Sequence, residues 1–89
     1  MKNIKTLSEL VKKIDTTAEI EAFFTELLTE SELETLSKRW RILEMLKEGC
    51  TQREIAKDLQ VSLCKVTRGA KIMKDKNSVL AKYLIKEII

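Results

Sequence analysis

Residues 51–69 read Thr-Gln-Arg-Glu-Ile-Ala-Lys-Asp-Leu-Gln-Val-Ser-Leu-Cys-Lys-Val-Thr-Arg-Gly, two short amphipathic segments separated by a turn. Thr51 can cap the amide three residues on while Glu54 reaches back, the reciprocal pattern that starts a helix. Ile55, Ala56 and Leu59 then form one inner face, with Ala56 small enough for two helices to cross steeply, and Val61 closes the turn from below. Ser62 is the N-cap of the second helix. Within it Val66 points inward, while Leu63, Lys65 and Thr67 project outward from the first turns. A helix presented in this way fits the major groove of double-stranded DNA. Gln60 holds the turn position where such motifs usually carry Gly, so a left-handed backbone there is strained. The plainer alternative is an ordinary helical hairpin; spacing, caps and charge together favour the helix-turn-helix.

Charge is concentrated on the same stretch. Residues 1–50 carry a net charge of −2 and residues 51–76 a net of +4, within a total of +3. Lys65, Arg68, Lys71 and Lys74 recur at helical spacing on the second helix, with Arg53 and Lys57 on the first. That is enough for several phosphate contacts and a steep salt dependence, although any one lysine alone reads as solvated surface.

A chain of 89 residues allows one small domain, read as a single unit over 1–89 with the helix-turn-helix at 51–75. No Pro and only two Gly point to an all-α chain. A domain this small hides a modest share of its surface. Yet Leu27, Leu28, Leu33, Leu36, Trp40, Leu43, Leu46 and the apolar tail 79–89 all call for burial, which dimerisation would supply. No signal peptide and no apolar run near 18 residues is evident, so a cytoplasmic chain with no membrane partner is expected. Cys50 reads as a small turn residue and Cys64 as an exposed residue of the second helix. With no His and no paired Cys motif, no metal site is expected. The absence of His, of a phosphate-binding Gly loop and of paired catalytic carboxylates argues against an enzyme.

Thr-x-x-Glu recurs at Thr6/Glu9, Thr16/Glu19, Thr29/Glu32 and Thr51/Glu54, each before an amphipathic stretch. Adding Ser62 and Asn77 or Ser78 as caps gives six predicted helices, at about 7–14, 17–27, 30–48, 52–59, 63–75 and 79–88. The third is the longest, and its stripe of Leu33, Leu36, Trp40, Leu43 and Leu46 has core-facing spacing, which makes Trp40 a core residue rather than a ligand platform.

These residues carry a resemblance. Leu27-Leu28-Thr29, Leu36, Arg39-Trp40-Arg41-Ile42, Thr51-Gln52-Arg53-Glu54 and Val66-Thr67-Arg68-Gly69, in that order over about residues 20–85, resemble the Trp repressor family. The resemblance implies an intertwined all-α homodimer of six-helix chains whose reading heads bind a palindromic operator. It implies a transcriptional repressor of tryptophan biosynthesis or transport genes, with L-tryptophan as corepressor.

The ligand site it implies is built from Leu28, Thr29, Arg39, Ile42, Leu43, Arg68, Gly69 and Ile72. There the ligand lies between the two guanidinium groups, which can stack on the indole; an arginine, Thr29 and helix-end carbonyls meet its carboxylate and ammonium, Arg68 can pair with the carboxylate, and Gly69 offers bare backbone. The implied DNA contacts are Gln52, Arg53, Ser62, Leu63, Cys64, Lys65, Thr67 and Lys74. Leu63 and Cys64 offer only apolar contact, so part of the readout falls to water or DNA shape. Lys65 and Ile72 stand where the family has small polar residues, and Lys47–Cys50 is one residue shorter than in tryptophan-binding members. A relative with another ligand, or none, is therefore the first alternative, and a helical protein-interaction module with an acidic partner the second. Taken singly, Arg39 could instead pair with Glu32 or Glu44, and Arg68 could contact a phosphate.

Overall fold

Three of the four Thr-x-x-Glu signatures start helices in the computed structural model, which describes residues 2–86. Thr16 Oγ1 accepts from the Glu19 amide at 3.1 Å. At Thr29 and Thr51 the bonding is reciprocal: each hydroxyl accepts from the glutamate amide at 3.2 Å, and each glutamate carboxylate accepts from the threonine amide, at 2.8 and 3.1 Å. Among the described residues there are six helices and no strand: α1 Lys2–Lys12, α2 Thr17–Leu27, α3 Glu30–Lys47, α4 Gln52–Leu59, α5 Leu63–Lys74 and α6 Val79–Lys86. The all-α class and the order of six elements agree with the sequence reading.

The first helix is a correction. It was expected at about 7–14, but it starts at Lys2, ends at Lys12 and runs through Thr6, whose capping role is lost. The cause is the apolar stripe, which begins at Ile4 and continues through Leu7, Leu10 and Val11 at helical spacing, ahead of the supposed cap. Ser8 donates back to the Ile4 carbonyl at 2.7 Å, as hydroxyls inside helices do. At the other end, Ser78 rather than Asn77 caps α6, its Oγ accepting from the Ala81 amide at 3.1 Å. Residues 87 and 88, included in the expected last helix, lie outside the described residues.

The chain divides into two compact units, Met1–Glu34 and Thr35–Ile89, with the boundary inside α3. The first holds α1, α2 and the opening of α3; α2 has no buried residue, and Leu7, Phe24 and Leu27 stay exposed. The second holds the core. Ile42 and Met45 of α3, Ile55 of α4 and Val66 of α5 meet in one cluster, with Ala56, Leu59, Val61, Leu46 and Cys50 packed on it. Ile55 and Val66 have no exposed surface at all. They are the inner-face positions read from residues 51–69. α6 packs on α5 through buried Ala81 and Leu84, and Lys47 Nζ donates to the Leu84 carbonyl, tying the end of α3 to α6.

Two left-handed residues close the helix ends that orient this unit. Gly49, at φ 93°, follows α3, and the Cys50 amide bonds the Met45 carbonyl at 3.1 Å. Gln60, at φ 56° and ψ 49°, follows α4; its amide and that of Val61 reach back to Lys57 and Ala56. This is the strain expected at Gln60. A non-glycine residue in that conformation costs roughly 1–2 kcal/mol, while glycine adds about 0.5–1 kcal/mol of unfolded-state entropy. Gln60→Gly is therefore expected to stabilise the chain by about 0.5–1 kcal/mol, read as a higher urea midpoint at unchanged m-value.

The capping boxes also leave a pH signature. For Glu32 the backbone bond from Thr29 and then the Thr29 side chain lower the carboxyl pKa below its ordinary 4.5. For Glu54 the order is reversed, side chain first and backbone second, both from Thr51. A pKa lowered by folding gives stability that is fully present above the ordinary value and is lost as pH falls through the folded value. Stability should thus decline on acidification from about pH 4.5 downward, and Thr51→Ala should flatten that decline in urea titrations at pH 3 to 6.

Candidate functional site

A cavity of about 370 Å³ opens in the C-terminal unit, lined by α3, α5 and the first turn of α6. Its floor is Ile42, Leu43 and Gly69, all buried; Leu36, Trp40, Ile72 and Leu80 form the walls. Arg39, Lys65 and Arg68 complete the lining, and each is exposed. Among the described residues none of these cations enters an ion pair. The Glu44 pairing weighed for Arg39 goes instead to Arg41, at 3.7 Å, which also pairs with Glu48 at 3.1 Å. The result is an apolar slot open to solvent with positive charge at its mouth, suited to an apolar body carrying an anionic end.

Six of the residues proposed for a ligand therefore come together: Arg39, Ile42, Leu43, Arg68, Gly69 and Ile72. Leu28 and Thr29 belong to the N-terminal unit and are not among the lining residues. Thr29 is spent on its cap, its hydroxyl accepting from Glu32. Trp40, expected in the core, is half-buried in the cavity wall. Gly69 lines the cavity and also serves the packing of two helices. A Cβ placed there would lie 2.8 Å from Ile42 Cγ2 and 3.3 Å from Leu43 Cδ2, so the missing side chain lets α5 approach α3. Leu36 and Leu80 were not foreseen as lining residues. Leu80 is brought in by the fold of α6, for which no local motif exists.

The face outside the cavity is built by α4, the turn and α5. Ser62 Oγ accepts from the Lys65 amide at 3.3 Å, starting α5 so that Leu63, Cys64, Lys65 and Thr67 are exposed while Val66 is buried. Arg53 and Lys74 are exposed as well. Gln52 is half-buried, and Thr67 Oγ1 donates to Gln52 Oε1 at 2.9 Å, with the Leu63 carbonyl as a second acceptor at 3.0 Å. Two of the side chains expected to contact DNA are thus held against each other across the α4–α5 crossing. Lys65 belongs to both regions, lining the cavity from the first turn of α5. Among the described residues no group of three or more His, Cys, Asp or Glu is placed to hold a metal ion, and no helix is long and apolar enough to cross a membrane.

Comparison with known proteins fits this architecture. The profile of the family described as Trp repressor protein matches residues 2–88. A Trp operon repressor homolog of Xylella fastidiosa is 40% identical over 72 residues, covering 80% of this chain and 78% of that protein. One from Chlamydia caviae is 40% identical over 67 residues, 74% of this chain and 66% of that protein. One from Chlamydia trachomatis is 36% identical over 70 residues, 78% and 74% respectively. No solved structure matches. The chain belongs to the Trp repressor family, whose helical class and repressor character it shares.

Proposed function

We propose that this chain is a homodimeric, tryptophan-dependent repressor that binds a palindromic operator of genes for tryptophan biosynthesis or transport. The observation that carries the reading is the position of the cavity. It lies between α3 and α5, and Lys65 and Arg68 of α5 line it while Leu63, Cys64 and Thr67 of the same helix face outward. A ligand in the slot contacts the helix that would read bases, so occupancy can bias the tilt of that helix. Only one tilt would space two heads about 34 Å apart on successive major grooves. Gln52, Arg53, Ser62, Leu63, Cys64, Lys65, Thr67 and Lys74 are the proposed DNA contacts. The proposed ligand set is Arg39, Ile42, Leu43, Arg68, Gly69 and Ile72.

Dimerisation is supported by apolar side chains left uncovered in the C-terminal unit. Leu36, Val79, Leu80 and Tyr83 are 42 to 65% exposed. A second copy of the chain would cover such apolar surface. That its relatives are Trp operon repressor homologs supports tryptophan operons as targets.

The competing reading, a helical module that captures an acidic protein, is favoured by the basic face alone. Fluorescence anisotropy of a labelled palindromic duplex, with polyglutamate as competitor across a salt series, separates the two. A DNA-binding protein loses affinity for the duplex steeply with salt and resists the polymer. Equal competition by polyglutamate would contradict the proposal.

A further inference from the structure

One polar pair ties together the two helices of the outward face. Thr67 of α5 and Gln52, the first residue of α4, are 15 positions apart in the chain, and the Thr67 hydroxyl donates to Gln52 Oε1 at 2.9 Å. Both ends are anchored, since Val66 beside Thr67 and Ile55 one turn on from Gln52 have no exposed surface. The hydroxyl has a single proton. Its second acceptor, the Leu63 carbonyl at 3.0 Å, lies within α5, where the helix's own amide ladder already serves it. The proton therefore does most for Gln52. A planar amide held by its oxygen presents its nitrogen on the other side, and among the described residues Gln52 Nε2 has no partner.

A loose glutamine turns its amide to offer a donor or an acceptor as its partner requires, whereas this one is fixed as a donor. Such a group suits a phosphate oxygen, which only accepts, and is refused by the amino groups of cytosine and adenine. Its chain neighbour Arg53 is exposed and also offers donors only. We infer that Thr67 is a positioning residue: its hydroxyl holds Gln52 as a fixed donor to a backbone phosphate, and its effect on DNA affinity passes through Gln52. This rests on the reading of α4 and α5 as the DNA-binding face and refines the part given there to Thr67. Holding the side chain in advance spares the rotamer freedom that a loose glutamine loses on binding. The contact carries no charge, which gives it a signature. Loss of a cation flattens the dependence of affinity on salt, but loss of a neutral donor lowers affinity by one factor at every salt concentration.

The test is fluorescence anisotropy of the full chain on a palindromic duplex selected from a random pool in L-tryptophan, and on versions of it changed one base pair at a time, across a salt series. Thr67→Val, which keeps the shape and removes the hydroxyl, should weaken binding about 5- to 20-fold. The factor should be the same on every duplex, with the salt slope and the melting temperature unchanged. Thr67→Ser should restore most of the affinity. Gln52→Met should weaken binding at least as much as Thr67→Val, and combining the two should cost nothing further. Additive losses in the double variant would overturn the inference, because Thr67 would then meet the duplex by itself. A loss that disappears when one base pair is changed would overturn it too, making Gln52 a reader of that base. So would a lower salt slope or melting temperature in Thr67→Val, which would make the bond a support of the fold. If the unaltered chain binds no duplex, the DNA-binding reading fails and the inference with it.

Discussion

Arg68→Ala is expected to weaken L-tryptophan binding about 10- to 100-fold, the loss of one charge-assisted carboxylate contact and one stacked cation. Arg68 lines the cavity from α5, is exposed and, among the described residues, is in no ion pair. Its removal therefore leaves no buried partner stranded, and the melting temperature should change little. Titration calorimetry beside a thermal melt reads both quantities. Arg68→Lys keeps the charge but not the planar fork, so it should recover only part of the affinity. A full loss of binding together with a large drop in melting temperature would instead place Arg68 in the fold.

Ile55→Ala is expected to cost about 2–5 kcal/mol, because a fully buried aliphatic side chain is exchanged for a cavity. Ile55 has no exposed surface and packs with Ile42, Met45 and Val66, joining α3, α4 and α5 at one point. A domain of this size has a total stability of only about 5–15 kcal/mol, so the variant should approach or cross the unfolding threshold at 37 °C. Guanidinium unfolding followed by circular dichroism measures the loss. A cost below about 1 kcal/mol would mean that the three helices are held together elsewhere. Because the proposed DNA contacts lie on α4 and α5, duplex binding should fall with the folded fraction and not beyond it.

Much of this architecture was legible because its signals are local. The Thr51–Glu54 box, the Ser62 cap and the left-handed Gln60 are each decided within four residues, and all three appear where the sequence placed them. The start of α1 was misread for the same reason in reverse. Thr6 and Glu9 satisfy a local rule that the longer apolar stripe from Ile4 overrides. The cavity was legible in part, through the ordered residues shared with a known family. What it missed depends on tertiary placement. Leu80 reaches the cavity only because α6 packs on α5, and Trp40 lines it because its stripe on α3 faces the slot as well as the core. The packing role of Gly69 was not legible, since the nearness of Ile42 becomes visible only once α3 and α5 are packed.

The coupling of cavity and reading helix is the central claim, and affinity for a palindromic duplex with and without ligand tests it most directly. At fixed salt, saturating L-tryptophan should tighten duplex binding by a measurable factor. By linkage, saturating duplex should tighten L-tryptophan binding by the same factor. Duplex affinity that is identical with and without tryptophan, in a chain that binds both, would contradict the account, because the slot would then have no hold on α5.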